Sequence, residues 1–201
     1  MRKFVVYSEN ACTSPKIGDL KAAGRIDILL HSIISAMFAS HTYREDVELH
    51  LILMGPPYAP RHIKIVAHPD NTISKKNLKR LIEICLKKFK KGNTIEAHPG
   101  VFVDDKTLEN LVDEFKDNNE DIYMLDFAGT HIKNIDGSKV QNGVFILGDH
   151  DGFDKQKRKY LKKSVNRMSL GEQMYFTSQA IMIINYEIDS YEYLNPAEVN
   201  E

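Results

Sequence analysis

The run F-I-L-G-D-H-D-G-F-D, Phe145–Asp154, decides how this chain is read. An apolar strand stops at Gly148, and Asp149, His150, Asp151 and Asp154 follow at once. In an α/β sheet, loops at the carboxyl ends of the strands can converge without interrupting the ladder, so ligands bind there. Gly148 then reads as the place where a ligand approaches bare backbone. The competing reading is a polar turn, with Asp and Gly chosen for turn conformation and helix capping. Carboxylates beside an imidazole also suit a metal ion. A single histidine with no second His at ligand spacing makes a poor ligand set, and no metal is expected.

Working outward, short apolar runs predict strands at Phe4–Tyr7, Val47–Met54, Ile63–Ala67, Val101–Val103, Ile122–Leu125 and Val144–Leu147, with another near Val165. Several are apolar throughout, as strands covered on both faces are, which favours a largely parallel sheet. Helical spacing predicts helices over Ala22–Ser40, Asn77–Lys90, Thr107–Lys116, Lys155–Lys163 and Glu172–Ile188. Strands alternating with helices make an α/β fold with a mostly parallel sheet flanked by helices. G-P-P-Y-A-P at 55–60 and the stretch Gly92–Pro99 read as loops. No composition shift divides the chain, so residues 1–190 are expected to form one domain and 191–201 a flexible tail.

A chain of 201 residues can bury roughly 70% of the surface it exposes when unfolded, so it needs no staple. Cys12 and Cys85 fit neither a disulfide framework nor a zinc site, and the reduced cytoplasm is the natural setting. No stretch approaches the length of a membrane span. A net charge of −1 is a poor fit to binding nucleic acid by bulk electrostatics alone, which directs attention to local patches. The basic runs Lys75–Lys91 and Lys155–Arg167 are such patches, although runs of this kind are usually solvated helix faces.

Two further stretches could carry chemistry. In R-M-S-L-G-E-Q-M-Y-F, Arg167–Phe176, a Ser-Leu-Gly turn precedes a helix whose first amides could bind polar atoms of a cofactor. Ser169 could equally cap that helix, with Glu172 completing a capping box. In A-G-R-I-D, Ala23–Asp27, Arg25 can grip a phosphate and Asp27 can accept a proton. The two cooperate only if Gly24 holds them in a loop or first turn, and Asp27 could instead simply favour the positive end of a helix. There is no nucleophile elbow, P-loop or dinucleotide fingerprint.

The order of these features resembles a known family. G-R-x-D at Gly24–Asp27, R-E-D-V-x-x-H-L-I-L at Arg44–Leu53, Y-M-L-D at Tyr123–Asp126, F-I-L-G-D-H at Phe145–His150 and S-L-G-x-x-M-x-F-x-S-Q at Ser169–Gln179 resemble the TrmY family, the archaeal tRNA pseudouridine(54) N1-methyltransferases. The likeness spans nearly the entire chain. It implies a SPOUT fold with a C-terminal trefoil knot, usually in a homodimer, that binds S-adenosylmethionine and acts on tRNA, with no role for DNA or a membrane. Carried over residue by residue, the cofactor site comprises Leu125, Gly148, Ser169, Leu170, Gly171, Glu172, Met174 and Ala180. Asp27 is the first candidate for contacting or deprotonating the target ring, Arg25 anchors a phosphate, and Asp149 or His150 is the rival base. Ile181, Met182, Ile183, Ile184 and Tyr186 suit a subunit contact. Three departures stand out: Ala180 occupies a position where family members often carry cysteine, a second cysteine that members often carry near the C-terminus has no counterpart here, and D-H-D-G-F-D is more acidic than commoner versions.

Fold does not fix substrate. A non-catalytic RNA-binding or assembly factor on the same fold, or a methyltransferase acting on another nucleotide, fits the same sequence. Methyl transfer from S-adenosylmethionine to pseudouridine-containing tRNA separates them.

Overall fold

A computed structural model describes residues 1–40, 42–70 and 73–196. The strand that organises it is the first, β1 (Arg2–Ser8), buried along almost its whole length. Its side chains alternate between two cores: Phe4 and Val6 enter one, Val5 and Tyr7 the other. Fully burying a Val or Phe side chain is worth about 1.5–3 kcal/mol, so the two-sided burial of this segment fixes it at the centre of the sheet.

After β1 come α1 (Ile26–Met37), a small hairpin of β2 (Phe38–Ala39) and β3 (Thr42–Tyr43), β4 (Val47–Leu53) and β5 (Arg61–Val66). Next are α2 (Leu78–Lys88), β6 (Ile95–His98), β7 (Val101–Asp104) and α3 (Leu108–Asp117). The C-terminal part holds β8 (Ile122–His131), α4 (Gly137–Gln141), β9 (Val144–Gly148), α5 (Lys155–Ser164), β10 (Asn166–Ser169) and α6 (Thr177–Leu194). The main sheet has eight strands in the order β10-β8-β9-β1-β4-β5-β7-β6. The pairs β10–β8, β8–β9, β9–β1 and β1–β4 are parallel, whereas β4–β5, β5–β7 and β7–β6 are antiparallel.

Helices α1, α2 and α6 feed their apolar stripes into one core, and α3 and α5 feed theirs into the other. The sheet is therefore covered on both faces, as the apolar strands predicted. The chain places β8 between β9 and the later β10, and the final helix then returns across the sheet to lie on α1 and α4.

Four sequence expectations need correction. Gly92–Pro99 is not all loop, because Ile95–His98 pairs with β7 through a tight Pro99-Gly100 turn in which Gly100 supplies φ +72°. Only Ala97 of that edge strand is buried, so its polar sequence concealed it. The first helix is shorter than Ala22–Ser40: Arg25 is left-handed before it, and Phe38–Ala39 turns into a hairpin after it. The last helix begins at Thr177, not Glu172, because Gly171 at φ +108° holds the preceding residues in a loop. It also continues to Leu194, so Tyr191–Leu194 of the expected tail are helical, while 197–201 lie outside the described residues.

Candidate functional site

Because β1, β8, β9 and β10 run parallel, their carboxyl ends share one side of the sheet, and that side gathers Ser8, Gly148 and Ser169. Strand β8 adds an irregularity. Its pairing with β10 jumps from Met124 opposite Arg167 to Thr130 opposite Met168, so Leu125–Gly129 bulge out of the ladder. Gly129 makes the return possible, since a Cβ there would lie 2.6 Å from the Arg167–Met168 backbone. Leu125 stays partly buried against the core while Phe127 is turned to solvent.

Gly148 faces a comparably tight neighbour, because a Cβ on it would meet the Gly152 backbone at 2.6 Å. The first turn of α6 ties to the same strand end, where Thr177 Oγ1 donates to the Gly148 carbonyl at 2.8 Å. Ser169 does not cap α6. Its hydroxyl accepts from the Gly171 amide at 3.0 Å and so shapes the Ser-Leu-Gly loop itself. The helix start is satisfied by Gln179, whose Oε1 accepts from the Phe176 amide. Leu170 packs against the core, Ala180 is buried, and Glu172, Met174 and Phe176 face solvent. The loop thus presents apolar side chains and bare backbone between the ends of β8, β9 and β10.

The acidic run after Gly148 divides into separate roles. Asp154 caps α5, accepting from the amides of Gln156 and Lys157. Asp149 is buried and accepts from the Ser8 hydroxyl at 2.5 Å and the Asp151 amide at 3.0 Å. Asp151 accepts from Asn10 Nδ2 at 3.1 Å. His150 lies against both acids, 3.8 Å from Asp149 and 3.4 Å from Asp151, with part of its ring exposed. Side-chain oxygens of Asp149 and Asp151 and a ring nitrogen of His150 lie within 4.8 Å of one another, but the partners just named already explain the first two as loop scaffolding.

Arg25 and Asp27 reach the same region by a backbone device. Gly24 at φ +72° lies so close to Asn10 that a Cβ would overlap its carbonyl, and Arg25 follows at φ +61°. A left-handed non-glycine residue is strained, and such strain concentrates at functional sites. The consequence is a two-pronged ion pair, with Arg25 Nε and Nη2 each 3.0 Å from an Asp27 oxygen. The hydrogen bond from Arg25 holds the Asp27 carboxyl below its usual range, while Asp149 and Asp151 add to the forces keeping Arg25 charged. Hence the two candidate catalytic stretches, separate in sequence, form one polar neighbourhood around the loop after β1.

Sequence reasoning missed Ser8, Asn10 and Thr177. Ser8 and Thr177 each sit at the edge of an apolar run, a position that signals strand or helix ends but not which partner they take.

The fold and the glycine-lined strand ends define a class, and the comparisons agree: residues 1–193 match the family described as "Putative SAM-dependent RNA methyltransferase", and the chain belongs to that family. Relatives named tRNA (pseudouridine(54)-N(1))-methyltransferase include those of Thermococcus gammatolerans and Methanococcoides burtonii, each 33% identical. Both alignments cover 94% of this chain, and 98% and 96% of the respective relative. Among solved structures, Archaeoglobus fulgidus Nep1 bound to S-adenosylhomocysteine superposes with a TM-score of 0.63 over 96% of this chain and 99% of that one, at 14% identity. At that identity the likeness speaks for the fold alone.

Proposed function

We propose that this protein transfers the methyl group of S-adenosylmethionine to N1 of pseudouridine 54 in the T-loop of tRNA, working in the cytoplasm as a homodimer. The observation that carries the reading is full-length similarity to relatives of that name, joined to a loop cluster whose chemistry suits the cofactor. Leu125 and Leu170 offer apolar walls for a purine, and Gly148 and the Ser169–Gly171 turn offer backbone to its polar edges. The nearby carboxylates of Asp27, Asp149 and Asp151 favour a sulfonium charge. Glu172, Met174 and Ala180 complete the set. When bound, S-adenosylmethionine supplies an electrophilic methyl group.

The chain's own residues then position and deprotonate. N1 of pseudouridine carries a removable proton because the sugar is attached through carbon. Asp27 is the acceptor for that proton. While Arg25 grips both of its oxygens it is a weak base; a phosphate that draws Arg25 away restores its basicity, so substrate arrival arms the site. Asp149, buried under Ser8, shapes the loop rather than facing the substrate, which leaves His150 as the rival base.

No helix among the described residues is long and apolar enough to cross a membrane. For the dimer, Ile181 and Ile184 are spent on the protein's own core, against α1. Met182 and Tyr186, on the outer face of α6 and exposed, are the groups left to meet a second copy.

The test is methyl transfer from labelled S-adenosylmethionine to two tRNA transcripts that differ only in pseudouridine or uridine at position 54. Transfer to the first alone is expected. Transfer to neither, or to both equally, contradicts the reading.

A further inference from the structure

Helix α5 is the crossover between β9 and β10, the two strands whose ends carry Gly148 and Ser169. It contributes a single buried residue, Leu161, to the core. Its outer face carries Lys155, Arg158, Lys159 and Lys162 at i, i+3, i+4 and i+7, with Lys163 beside them, all exposed. Along a helix, residues four apart are neighbours, and like charges there destabilise it. Lys155–Lys159, Arg158–Lys162 and Lys159–Lys163 are three such pairs in one short helix. Neighbouring acids relieve little of this: Glu109 pairs with Lys157, on the inner side, and Asp126 with Lys162 at 3.2 Å. Lys155, Arg158, Lys159 and Lys163 have no ion-pair partner among the described residues. Arg167 extends the exposed charge onto the edge strand β10, two positions before Ser169.

The other basic helix, α2, differs in both position and pairing. It packs on β5, β6 and β7, and β7 is four strands from β9 in the sheet, about 19 Å at ordinary strand spacing. Three lysines of that region are already engaged with main-chain carbonyls: Lys75 with Ser40, Lys79 with Gly18 and Lys88 with Ala97.

Resting on the methyltransferase reading, we propose that the outer face of α5, continued by Arg167, is the track on which the RNA phosphate backbone lies while the target base enters the site. A polyanion neutralises the like-charge stripe, of which the folded protein itself pairs Lys162 with Asp126. The near-zero net charge then matters little, because the attraction is concentrated on one helix beside the cofactor loops.

Binding of fluorescently labelled tRNA, followed by anisotropy over a salt series, tests the track without requiring catalysis. Two triple variants are compared, K155E/R158E/K159E on α5 and K79E/R80E/K87E on α2. Acidic residues in the first turns of α5 are compatible with the helix dipole, so the first variant is expected to fold, which circular dichroism checks. The α5 variant is expected to bind at least tenfold more weakly at moderate salt, with a slope of log K against log salt reduced by about 2–3. The α2 variant is expected to stay within twofold. Unchanged binding by the α5 variant, equal losses in both, or no tRNA binding by the unaltered protein overturns the track. If instead the α5 variant loses binding while the unaltered protein transfers no methyl group, the track stands and the enzymatic reading fails.

Discussion

At the scale of single residues, the structure separates groups that hold the site in shape from groups free to act. Asp149 looks catalytic in sequence, next to the glycine and His150, yet it is buried and bonded to Ser8. Asp27 looks like an ordinary helix-start acid, yet it faces solvent in part and is gripped on both oxygens by Arg25. Replacing Asp27 by Asn is therefore expected to lower kcat by about 10²–10⁴-fold while leaving S-adenosylmethionine binding intact; unchanged turnover would shift the role to His150. A second residue-level feature lies away from the site. Glu48, His50, His62 and Asp104 form a largely buried chain across β4, β5 and β7, with His50 Nδ1 2.8 Å from His62 Nε2. Burial pushes the His50 imidazole down to about 4, against the opposing pull of Glu48, with His62 and Lys64 adding to the downward shift. A ring kept neutral by the fold stabilises it fully above about pH 6.5, and that contribution is lost as pH falls toward 4. Denaturant midpoints measured from pH 7.5 to 4.5 should fall less steeply for His50→Gln than for the unaltered protein. Parallel curves would exclude this role.

At the scale of elements, what could be read from sequence depended on burial. Strands β1 and β9 are buried on both faces, and their apolar runs located them to within a residue or two. Strand β6 lies at the sheet edge with one buried residue, so its Ile-Glu-Ala-His gave no strand pattern. The extension of β8 past Leu125 was hidden for a different reason: a bulge depends on what the neighbouring strand does, and β10 arrives from far along the chain. The start of α6 was misplaced because Ser169 and Glu172 form a capping pattern, whereas Gly171 breaks the turn before a helix can begin. Helix α6 is also where assembly can be tested. Its outer face exposes Met182 and Tyr186, and charge there cannot be buried without a partner. Met182→Glu with Tyr186→Glu should shift the protein from dimer to monomer in sedimentation experiments, with the circular dichroism spectrum retained. A variant that sediments as the unaltered protein does would remove α6 from the interface.

At the scale of the whole molecule, the first strand and the last helix meet. Arg2, almost wholly buried at the start of β1, bonds to Asn185 and Asp189 of α6 and pairs with Asp46, while Arg44 takes the other side of Asp189. This clasp holds α6 across the sheet, and the Thr177–Gly148 bond fixes its opposite end at the carboxyl end of β9. The layout of layers could be read from alternating apolar segments, and the abrupt end of β9 from one glycine. The meeting of Ser8 with Asp149 could not, because that contact joins segments 141 residues apart, nor could the seating of Gly24 on Asn10, which depends on how the loop after β1 folds back. The proposed methyl transfer requires that the ends of β8, β9 and β10 with the Ser169–Gly171 turn take up a sulfonium nucleotide. Isothermal titration of the folded protein with S-adenosylhomocysteine tests it directly. Saturable binding is expected, weakened at least tenfold by Gly148→Val, whose branched side chain would collide with the Gly152 backbone. No detectable heat from the unaltered protein, or equal binding by the variant, would contradict it.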